Sequence, residues 1–249
     1  MTSTTIDKLN IPQFSSNSKE ATNFFNNFGF HIEEDVLNDA ECKEAIKNSF
    51  SLPNYLDGSL IPNQMPQNHN DYYLLLMKNK NIRKINNNLI SKNKKIFGLQ
   101  STFFFGPSGS TGASKHQDSL YVQPEDAEGF ITSWLSLVDM FDDNMGNLVV
   151  YPETHKKGQL EIKERKNIKN SNFQLPSLVK YENDIDKNSK KIIIKLKKGT
   201  VVSLHSNVVH GSLDNTSNTQ RYSMIFTYIR DECKFIEGRK AKRKKINLD

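Results

Sequence analysis

The sequence predicts a single domain in which helices precede a closed or double-layered antiparallel β structure. A chain of 249 residues is long enough for one well-buried domain of this kind. With 36% hydrophobic and 25% charged residues, its composition is that of an ordinary globular protein. Near residue 96 the apolar residues change from helical spacing to short runs rich in Val, Ile, Phe, Tyr and Thr.

The first 95 residues predict a flexible start followed by a mainly helical flank over 21–95. Residues 1–20 are polar and carry no pattern, and residues 24–32 indicate a short strand or turn. Asn38 and Glu41 suit the first turn of a helix, and residues 71–95 predict one or two more helices. The apolar residues that we expect on the inner face of these later helices are Leu74, Leu75, Ile82, Ile85, Leu89 and Ile90.

Residues 96–230 carry the predicted β core, because apolar runs alternate there with Gly, Pro, Asn or Asp. Seven such strands after a helical prelude indicate a β core with helices outside it. A charged, Asn-rich stretch at 156–190 predicts an insertion that forms a mobile flap or a decorated loop. The predicted strands are 96–105, 119–122, 129–138, 147–151, 191–196, 200–204 and 222–229.

The charge pattern favours a small-molecule partner over nucleic acid. Lys+Arg 34 against Asp+Glu 28 leaves a formal charge of +6. The basic runs at 78–95, 187–198 and 239–245 contain no interleaved aromatics of the kind that bind single strands. We therefore expect solvated faces and a disordered basic tail over 231–249, while the net charge favours an anionic small molecule. The sequence predicts no oligomeric state.

Two cysteines, Cys42 and Cys233, are too few for a disulfide framework or a cysteine zinc site. They predict reduced thiols in a cytoplasmic protein. The first residues contain no apolar segment typical of a secretory signal, and no apolar run reaches the roughly 18 residues of a membrane span. No membrane partner is expected.

His116, Asp118 and His210 are the candidate metal ligands. His116 and Asp118 lie two positions apart, so in an extended backbone both side chains point to one face. Two imidazoles and one carboxylate are what a redox iron(II) site uses, with further positions left open. A His-x-Asp pair alone occurs often by chance, and an isolated pair is more commonly a surface or hydrogen-bonded histidine.

Arg221 follows His210 by eleven positions and opens a predicted strand. A guanidinium at the mouth of a strand suits bidentate binding of a carboxylate. The alternative is a surface ion pair with Asp214 or Asp231.

At these residues the chain resembles the phytanoyl-CoA dioxygenase family of iron(II)/2-oxoglutarate-dependent oxygenases. The resemblance runs from about residue 29 to 229, with the insertion outside the comparison. In one segment, Pro-Glu-Thr-His155 lacks the glycine of the family pattern, so that turn is expected to differ. The matching segments are His116-Gln-Asp118, Ser133-Trp-Leu-Ser-Leu-Val-Asp139, residues 144–158, residues 205–212 and Arg221.

The resemblance implies a double-stranded β-helix, a jelly-roll or cupin-like fold, in which His116, Asp118 and His210 ligate Fe(II). It also implies that Arg221 and Ser212 bind the distal carboxylate of 2-oxoglutarate. Trp134 corresponds to a residue that lines the cosubstrate pocket, although a lone tryptophan on an apolar strand is as well explained by core packing. Two further histidines are expected outside the metal site: His155 as a structural residue and His205 facing away from the metal.

The activity that the resemblance implies is that of a dioxygenase using Fe(II), 2-oxoglutarate and O2. It would hydroxylate an unactivated C–H bond of a small molecule, with an anionic one favoured by the net charge, and release succinate and CO2. Asp118 disfavours halogenation, because related halogenating enzymes have a small residue at this position. Desaturation or ring closure stays open.

Two other functions remain open from the sequence: a catalytically inactive β-sandwich binding protein, and a zinc-dependent hydrolase or lyase on the same scaffold. Intact ligands together with Arg221 argue against both. For the primary substrate we expect contacts from loops, namely residues 106–115, Tyr121, Gln123 and the insertion.

Overall fold

Two facing β-sheets form the core of the computed structural model, which describes residues 4–5, 10–165, 175–239 and 241–249. The fold is the double-stranded β-helix that the sequence predicts, with helices packed outside. The larger sheet has the strand order β2 (Phe30–Glu33), β10 (Val201–His205), β5 (Phe130–Ser136), β12 (Arg221–Arg230), β4 (Ile96–Gly106) and β3 (Asn63–Gln64). The smaller sheet has the order β1 (Thr4–Thr5), β9 (Ile192–Ile193), β6 (Leu148–Tyr151) and β11 (Val209–Ser212).

A separate two-stranded hairpin joins β7 (Ile162–Glu164) to β8 (Tyr181–Asn183) within the predicted insertion. The helices are α1 (Phe14–Phe28), α2 (Asp39–Ser49), α3 (Pro53–Leu56), α4 (Asp71–Met77), α5 (Lys80–Ile90), α6 (Ser119–Val122) and α7 (Ser177–Lys180). None of the helices in the described parts of the chain is both long and apolar enough to cross a lipid bilayer.

The pleat of β12 divides the molecule into two environments. Met224, Phe226 and Tyr228 point to one face and pack into the main hydrophobic core beneath the helices. Ile225 and Thr227 point to the other face and line a cavity between the sheets. Successive side chains of a strand alternate between faces, so one strand supplies both surfaces. The same alternation applies to β4 and β5.

The predicted flexible start and the predicted strand or turn at 24–32 are both corrected by α1. This helix begins at Phe14, and it continues to Phe28 with a break at Asn17. Phe14, Phe24 and Phe25 are buried along it and supply the packing energy that the surrounding polar residues lack. Only the end of the 24–32 segment, β2, is a strand. Residues 1–3 and 6–9 of the predicted flexible start lie outside the described residues.

The helical flank is confirmed, with one error about its inner face. Asn38 and Glu41 form a capping box at the start of α2, and residues 71–95 form α4 and α5. Leu75, expected inside, is 64% exposed. Helix α4 ends at Met77, before α5 begins at Lys80, so the buried face of α4 does not continue that of α5. The residues that α4 buries are Tyr73, Leu76 and Met77.

The strand predicted at 119–122 is wrong, because these residues form the helical turn α6. A four-residue apolar run is compatible with either structure, and here the chain turns sharply after Asp118. The strand β11, which contains His210, is not among the strands that the sequence predicts. The other predicted strands correspond to β4, β5, β6, β9, β10 and β12, with shifted ends.

The expectation of a disordered basic tail is wrong for the described part of the C-terminal segment. Ile246 pairs with Gly98 through two backbone hydrogen bonds of 3.0 and 2.8 Å. Leu248 is 2% exposed and packs in the main core. Apolar residues spaced among the lysines anchor this segment. The high lysine content makes these apolar residues difficult to recognise as anchors in the sequence. Cys42 and Cys233 are both buried and unpaired.

Candidate metal centre and active site

Three side chains meet at one end of the cavity between the sheets. The ligand atoms of His116, Asp118 and His210 all lie within 4.8 Å of one another. The Nε2 atoms of His116 and His210 lie 3.6 and 3.7 Å from Oδ1 of Asp118. These are the three residues that the sequence proposes as metal ligands, and the structure brings all three together.

The backbone explains how residues 94 positions apart come to share a site. His116 and His210 face each other across an isolated antiparallel bridge, and each amide N–H donates to the carbonyl of the other at 2.8 and 3.0 Å. Residues paired in this way place their side chains on the same face. The two imidazole rings accordingly lie with centroids 4.3 Å apart.

Hydrogen bonds orient each of the three groups. The Nδ1 atoms of His116 and His210 lie 2.7 and 3.1 Å from the carbonyl oxygens of Ser114 and Val208. A carbonyl can only accept, so Nδ1 carries the proton and the Nε2 lone pairs point at the shared centre. The hydroxyl of Thr132 donates to Oδ2 of Asp118, which leaves Oδ1 facing the imidazoles.

The protonation states suit metal binding. Burial lowers the pKa of His210 to about 4, although the nearby Asp118 carboxylate opposes this. Burial would raise the pKa of Asp118, but the two imidazoles and the Thr132 hydrogen bond together hold it well below its usual range. A neutral imidazole and an ionised carboxylate are the forms that ligate metals.

Arg221 enters the same cavity as a buried cation. It is 5% exposed, and its Nη1 donates to the carbonyl of Gly146 at 2.6 Å. Its Nε is buried with no hydrogen-bond partner, and burial lowers the pKa of the guanidinium to about 10. The alternative of a surface ion pair is wrong: Asp214 instead accepts from the amide of Gly112, and Asp231 pairs with Lys245.

Ser212 and Trp134 also line this cavity. The Ser212 hydroxyl oxygen accepts the amide N–H of Ala113 at 2.8 Å, so its own O–H is left to donate towards a ligand. Trp134 is 6% exposed and belongs to the smaller hydrophobic core between the two sheets as well. Both explanations of this tryptophan, cavity lining and core packing, therefore describe what it does.

The two predicted substrate residues have different positions. Tyr121, on α6, lines the cavity and sets its ring against that of His116, with centroids 5.7 Å apart. Gln123 is exposed and is not a lining residue. It follows α6 with φ 47, and this left-handed turn carries it away from the site. Of the loop 106–115, only Ala113 lines the cavity.

The described parts of the insertion lie over the site. Leu175, Ser177 and Leu178 line the cavity, and the Tyr121 hydroxyl donates to the carbonyl of Ser177 at 3.3 Å. The Ser114 amide donates to the carbonyl of Leu178 at 2.7 Å, which fixes the insertion beside a metal ligand. Residues 166–174 of the predicted flap lie outside the described residues.

The remaining histidines take no part in the cluster. His205 contacts Oε1 of Glu128 at 3.0 Å, and His155 lies 3.0 Å from the carbonyl of Asn26. His155 also packs against Gly29, where an added Cβ would lie 2.4 Å from its ring. His31 is buried against the carbonyl of Pro12, and His69 is exposed.

Sequence reasoning missed several polar residues of the cavity, among them Gln100, Thr132 and Arg243. Thr132 could have been found, since it shares a strand face with Trp134 two positions later. Gln100 lies in an apolar strand, and its parity with Thr102 and Phe104 would have indicated an inward position. Arg243 lies in a lysine-rich run that gives no signal of burial.

The donor set and its surroundings fit a divalent metal with an oxoacid beside it. Two imidazoles and one carboxylate converge from one side, which suits iron(II) in an open site. The unpartnered Nε of Arg221 and the free O–H of Ser212 are donors that a carboxylate would satisfy. Zinc would also accept the three ligands, but it gives no reason for a buried guanidinium in the same cavity.

Comparisons with known proteins identify the family to which the sequence is similar. Residues 25–223 match the family model described as phytanoyl-CoA dioxygenase (PhyH). A curated relative from Danio rerio, phytanoyl-CoA dioxygenase domain-containing protein 1, is 29% identical over 137 residues, which are 54% of this chain and 45% of that protein. Phytanoyl-CoA dioxygenase of Arabidopsis thaliana is 27% identical over 155 residues, which are 59% of this chain and 50% of that protein. The chain spans about half the length of these relatives.

Solved structures share the fold. The epimerase SnoN from nogalamycin biosynthesis, in complex with Fe3+, α-ketoglutarate and nogalamycin RO, superimposes with a TM-score of 0.71. The superposition covers 88% of this chain and 85% of that one, at 14% identity. At this level of identity the likeness shows the architecture alone.

Proposed function

The chain belongs to the phytanoyl-CoA dioxygenase family, and from this membership we propose that it is an iron(II)- and 2-oxoglutarate-dependent dioxygenase. Its reaction is the hydroxylation of an unactivated C–H bond in a small molecule, with release of succinate and CO2. The metal ligands are His116, Asp118 and His210. Arg221 and Ser212 bind the distal carboxylate of 2-oxoglutarate, and Trp134 forms a wall of the same pocket.

One observation carries the proposal: a buried guanidinium with an unused donor shares a cavity with three converging ligand atoms. Burying a cation without a counter-charge is unfavourable, so a fold keeps one where a ligand supplies the missing charge. Zinc accounts for the three ligands without requiring the guanidinium, and an inactive binding protein accounts for the guanidinium without requiring the three ligands. An oxoacid that chelates the metal and ends in a second carboxylate uses both.

When bound, the metal would activate dioxygen, which is the oxidant, while the oxoacid would supply two of the four electrons that reduce it and the substrate C–H bond the other two. The residues of the chain position and shield that chemistry. The carbonyls of Ser114 and Val208 hold the imidazoles in one tautomer, and Thr132 fixes the Asp118 carboxylate. Leu175, Ser177 and Leu178 of the insertion line the cavity and take up space that water would otherwise fill.

Hydroxylation is proposed over halogenation because Asp118 occupies the position that a halide would need. Its Oδ1 lies between the two imidazoles, and its Oδ2 is held by Thr132. An epimerase has the same fold, so the fold by itself does not select the outcome of the reaction. Product mass separates the possibilities: hydroxylation adds one oxygen atom, whereas desaturation or ring closure removes two hydrogens.

The proposed setting is the cytoplasm, which the two buried and unpaired cysteines support. The proposed partner is a small molecule with an anionic group, in line with the formal charge of +6.

The test is anaerobic titration of the protein with iron(II) and 2-oxoglutarate, followed by visible absorption. We expect the weak metal-to-ligand charge-transfer band of a chelated oxoacid. His210→Ala should abolish the band, and His205→Gln, a matched change of a buried histidine outside the metal cluster, should keep it. A wild-type protein that binds iron but shows no band would contradict the proposal and favour the hydrolase or the inactive binding protein.

A second measurement follows turnover. Oxygen consumption and succinate release are recorded across a metabolite library, and product masses are determined for each compound that stimulates both. Coupled release of succinate with a product one oxygen heavier is the expected result. Zinc-dependent hydrolysis in place of oxygen consumption would contradict it.

A further inference from the structure

The C-terminal segment delivers a second buried cation into the active-site cavity. Arg243 is 7% exposed and lines the same cavity as the metal ligands and Arg221. The segment that carries it is anchored on both sides, by Ala241, which is 8% exposed, and by Leu248 in the main core. Arg243 therefore belongs to the wall of the cavity.

The guanidinium is held through Nε and Nη1, which leaves Nη2 as the free nitrogen. Its Nε donates to Oε1 of Gln100 at 2.6 Å, and its Nη1 lies 3.2 Å from the carbonyl of Tyr121. Nη1 also lies near the carbonyls of Ile236 and Glu237, at 3.3 and 3.5 Å. Nη2 donates no hydrogen bond to any residue that the structure describes, and it is not among the buried unpartnered atoms. The free Nη2 of a charged guanidinium can donate a charge-assisted hydrogen bond to a carboxylate.

Arg243 and Arg221 lie at opposite ends of the cavity. On the paired strands, Arg221 is opposite Gly106, whereas Gln100, the partner of Arg243, is opposite Thr227. Six residues of strand separate these two levels, which is roughly 20 Å at about 3.4 Å per residue. Thr132, which holds Asp118, is paired with Thr227. The metal ligands therefore lie nearer to the Arg243 end, and an oxoacid reaching from the metal to Arg221 leaves that end open.

The charges of the loaded site sum to +1. Among the described lining residues Asp118 is the only acid. A divalent metal and a dianionic oxoacid cancel each other, and Asp118 offsets one of the two guanidinium charges of Arg221 and Arg243. One positive charge then remains in a cavity whose other walls include Val122 and Phe130, which are apolar. A ligand with one negative charge and an apolar body matches this arrangement.

We propose that Arg243 is the anchor for a carboxylate group of the primary substrate, which makes the substrate a monocarboxylic acid with an apolar body. This inference rests on the proposed oxygenase function and names the substrate class. The carboxylate accepts from Nη2, the apolar body lies against Val122 and Phe130, and the C–H bond to be attacked is set at a fixed distance from the metal. The C-terminal segment is thus a specificity element, because it supplies the group that selects the substrate.

The experiment measures binding of matched acids and amides. Linear monocarboxylic acids from butanoate to decanoate, and the corresponding primary amides, are titrated calorimetrically into the anaerobic iron(II) protein. Saturating 2-oxoglutarate is present, so that the probe does not compete at Arg221. A charge-assisted hydrogen bond predicts that the best acid binds roughly 10- to 100-fold more tightly than its amide.

Three variants separate recognition from structure. Arg243→Gln should reduce the acid preference to within about twofold, and Arg243→Lys should restore part of it. Lys245→Gln removes the same charge from a side chain that pairs with Asp231 outside the cavity, and it should keep the wild-type preference. Leu248→Ala loosens the same segment without removing the cation, so it should lower stability and keep the preference.

The result that overturns the inference is a wild-type preference retained in Arg243→Gln. A wild-type protein that binds 2-oxoglutarate but binds amides as tightly as acids, or binds neither of them, would also overturn the inference. If the wild-type protein shows no 2-oxoglutarate band at all, the proposed function fails first, and this inference fails with it.

Discussion

Arg221 is expected to favour 2-oxoglutarate binding but to lower the stability of the ligand-free protein. Its guanidinium is buried, its Nε has no partner, and its pKa is lowered to about 10 by burial. Arg221→Gln should weaken 2-oxoglutarate binding by roughly 10- to 100-fold, because a charge-assisted contact is lost. The free energy of unfolding of the ligand-free protein should stay the same or rise, since an uncompensated buried charge is removed.

Titration of the visible band gives the oxoacid affinity, and urea unfolding gives the stability. Arg221→Lys is the control: it retains the charge but not the two-point geometry, and its affinity should lie between those of the wild type and the glutamine variant. Wild-type affinity in Arg221→Gln would show that the oxoacid is bound elsewhere.

His31 should make the protein sensitive to acid. It is fully buried, its ring nitrogen lies 2.7 Å from the carbonyl of Pro12, and burial lowers its pKa from 6.5 to about 4. The unfolded chain therefore takes up a proton below pH 6.5, and the folded protein does so only near pH 4. Stability is fully present above pH 6.5 and falls as the pH drops towards 4, by on the order of 3 kcal/mol.

Urea unfolding of the wild type and of His31→Gln at pH 7 and pH 4 isolates this contribution, because other titrating groups are common to both proteins. The nearby Glu33 carboxylate, 4.0 Å from the ring, would reduce the effect by stabilising a charged imidazole. Equal losses of stability in the two proteins would refute the prediction.

At the level of single residues, the sequence was most informative where chemistry demands a spacing. The spacing of His116 and Asp118 predicted that their side chains meet, and they do, although Asp118 has a helical backbone with φ −66 and ψ −27 at the start of α6. Arg221 opens a strand because its side chain must reach the cavity from the rim. Arg243 could not be predicted, since only the packing of Leu248 and the pairing of Ile246 determine that its segment turns back to the cavity.

Among the elements, α2 shows how local sequence sets a boundary. The Asn38 side chain accepts the amide of Glu41 at 3.0 Å, and the Glu41 carboxylate accepts the amide of Asn38 at 2.8 Å. Asn38→Ala should lower the free energy of unfolding by about 1 kcal/mol, because amides at the start of the helix lose their acceptor. Lys43→Ala, on the exposed side of the same helix, should change it by less than about 0.5 kcal/mol.

Differential scanning calorimetry of both variants tests this prediction, and equal shifts in the two would count against it.

The contrast between α2 and α6 shows what local sequence can and cannot determine. The capping residues of α2, Asn38 and Glu41, allow its first turn to be predicted from the sequence. Residues 119–122 contain no such signal, and the course of the chain after Asp118 decides between helix and strand.

For the whole molecule, the C-terminal segment contributes to stability as well as to the cavity. Leu248 is 2% exposed in the main core, and Asp249 pairs with Lys95 at 2.6 Å. Leu248→Ala should lower the free energy of unfolding by about 2 kcal/mol, at the lower end of the range for a buried leucine. Lys95→Gln removes an exposed ion pair and an exposed cation–π contact with Phe97, and it should change the free energy of unfolding by less than about 1 kcal/mol.

Thermal denaturation of the two variants measures the difference. A Leu248→Ala protein as stable as the wild type would mean that the segment contributes nothing to the folded state. The sequence predicted a disordered tail because lysines dominate the composition of this region. A few apolar residues, however, determine its position in the structure.

The alternation along β4 and β12 has a practical consequence for redesign. The side chains that face the metal and those that hold the helices are interleaved on the same two strands, yet they never share a face. A combinatorial library confined to the inward positions can therefore change which compounds are accepted while the packing behind them is left untouched. The positions to randomise in such a library are Gln100, Thr102, Phe104, Ile225 and Thr227.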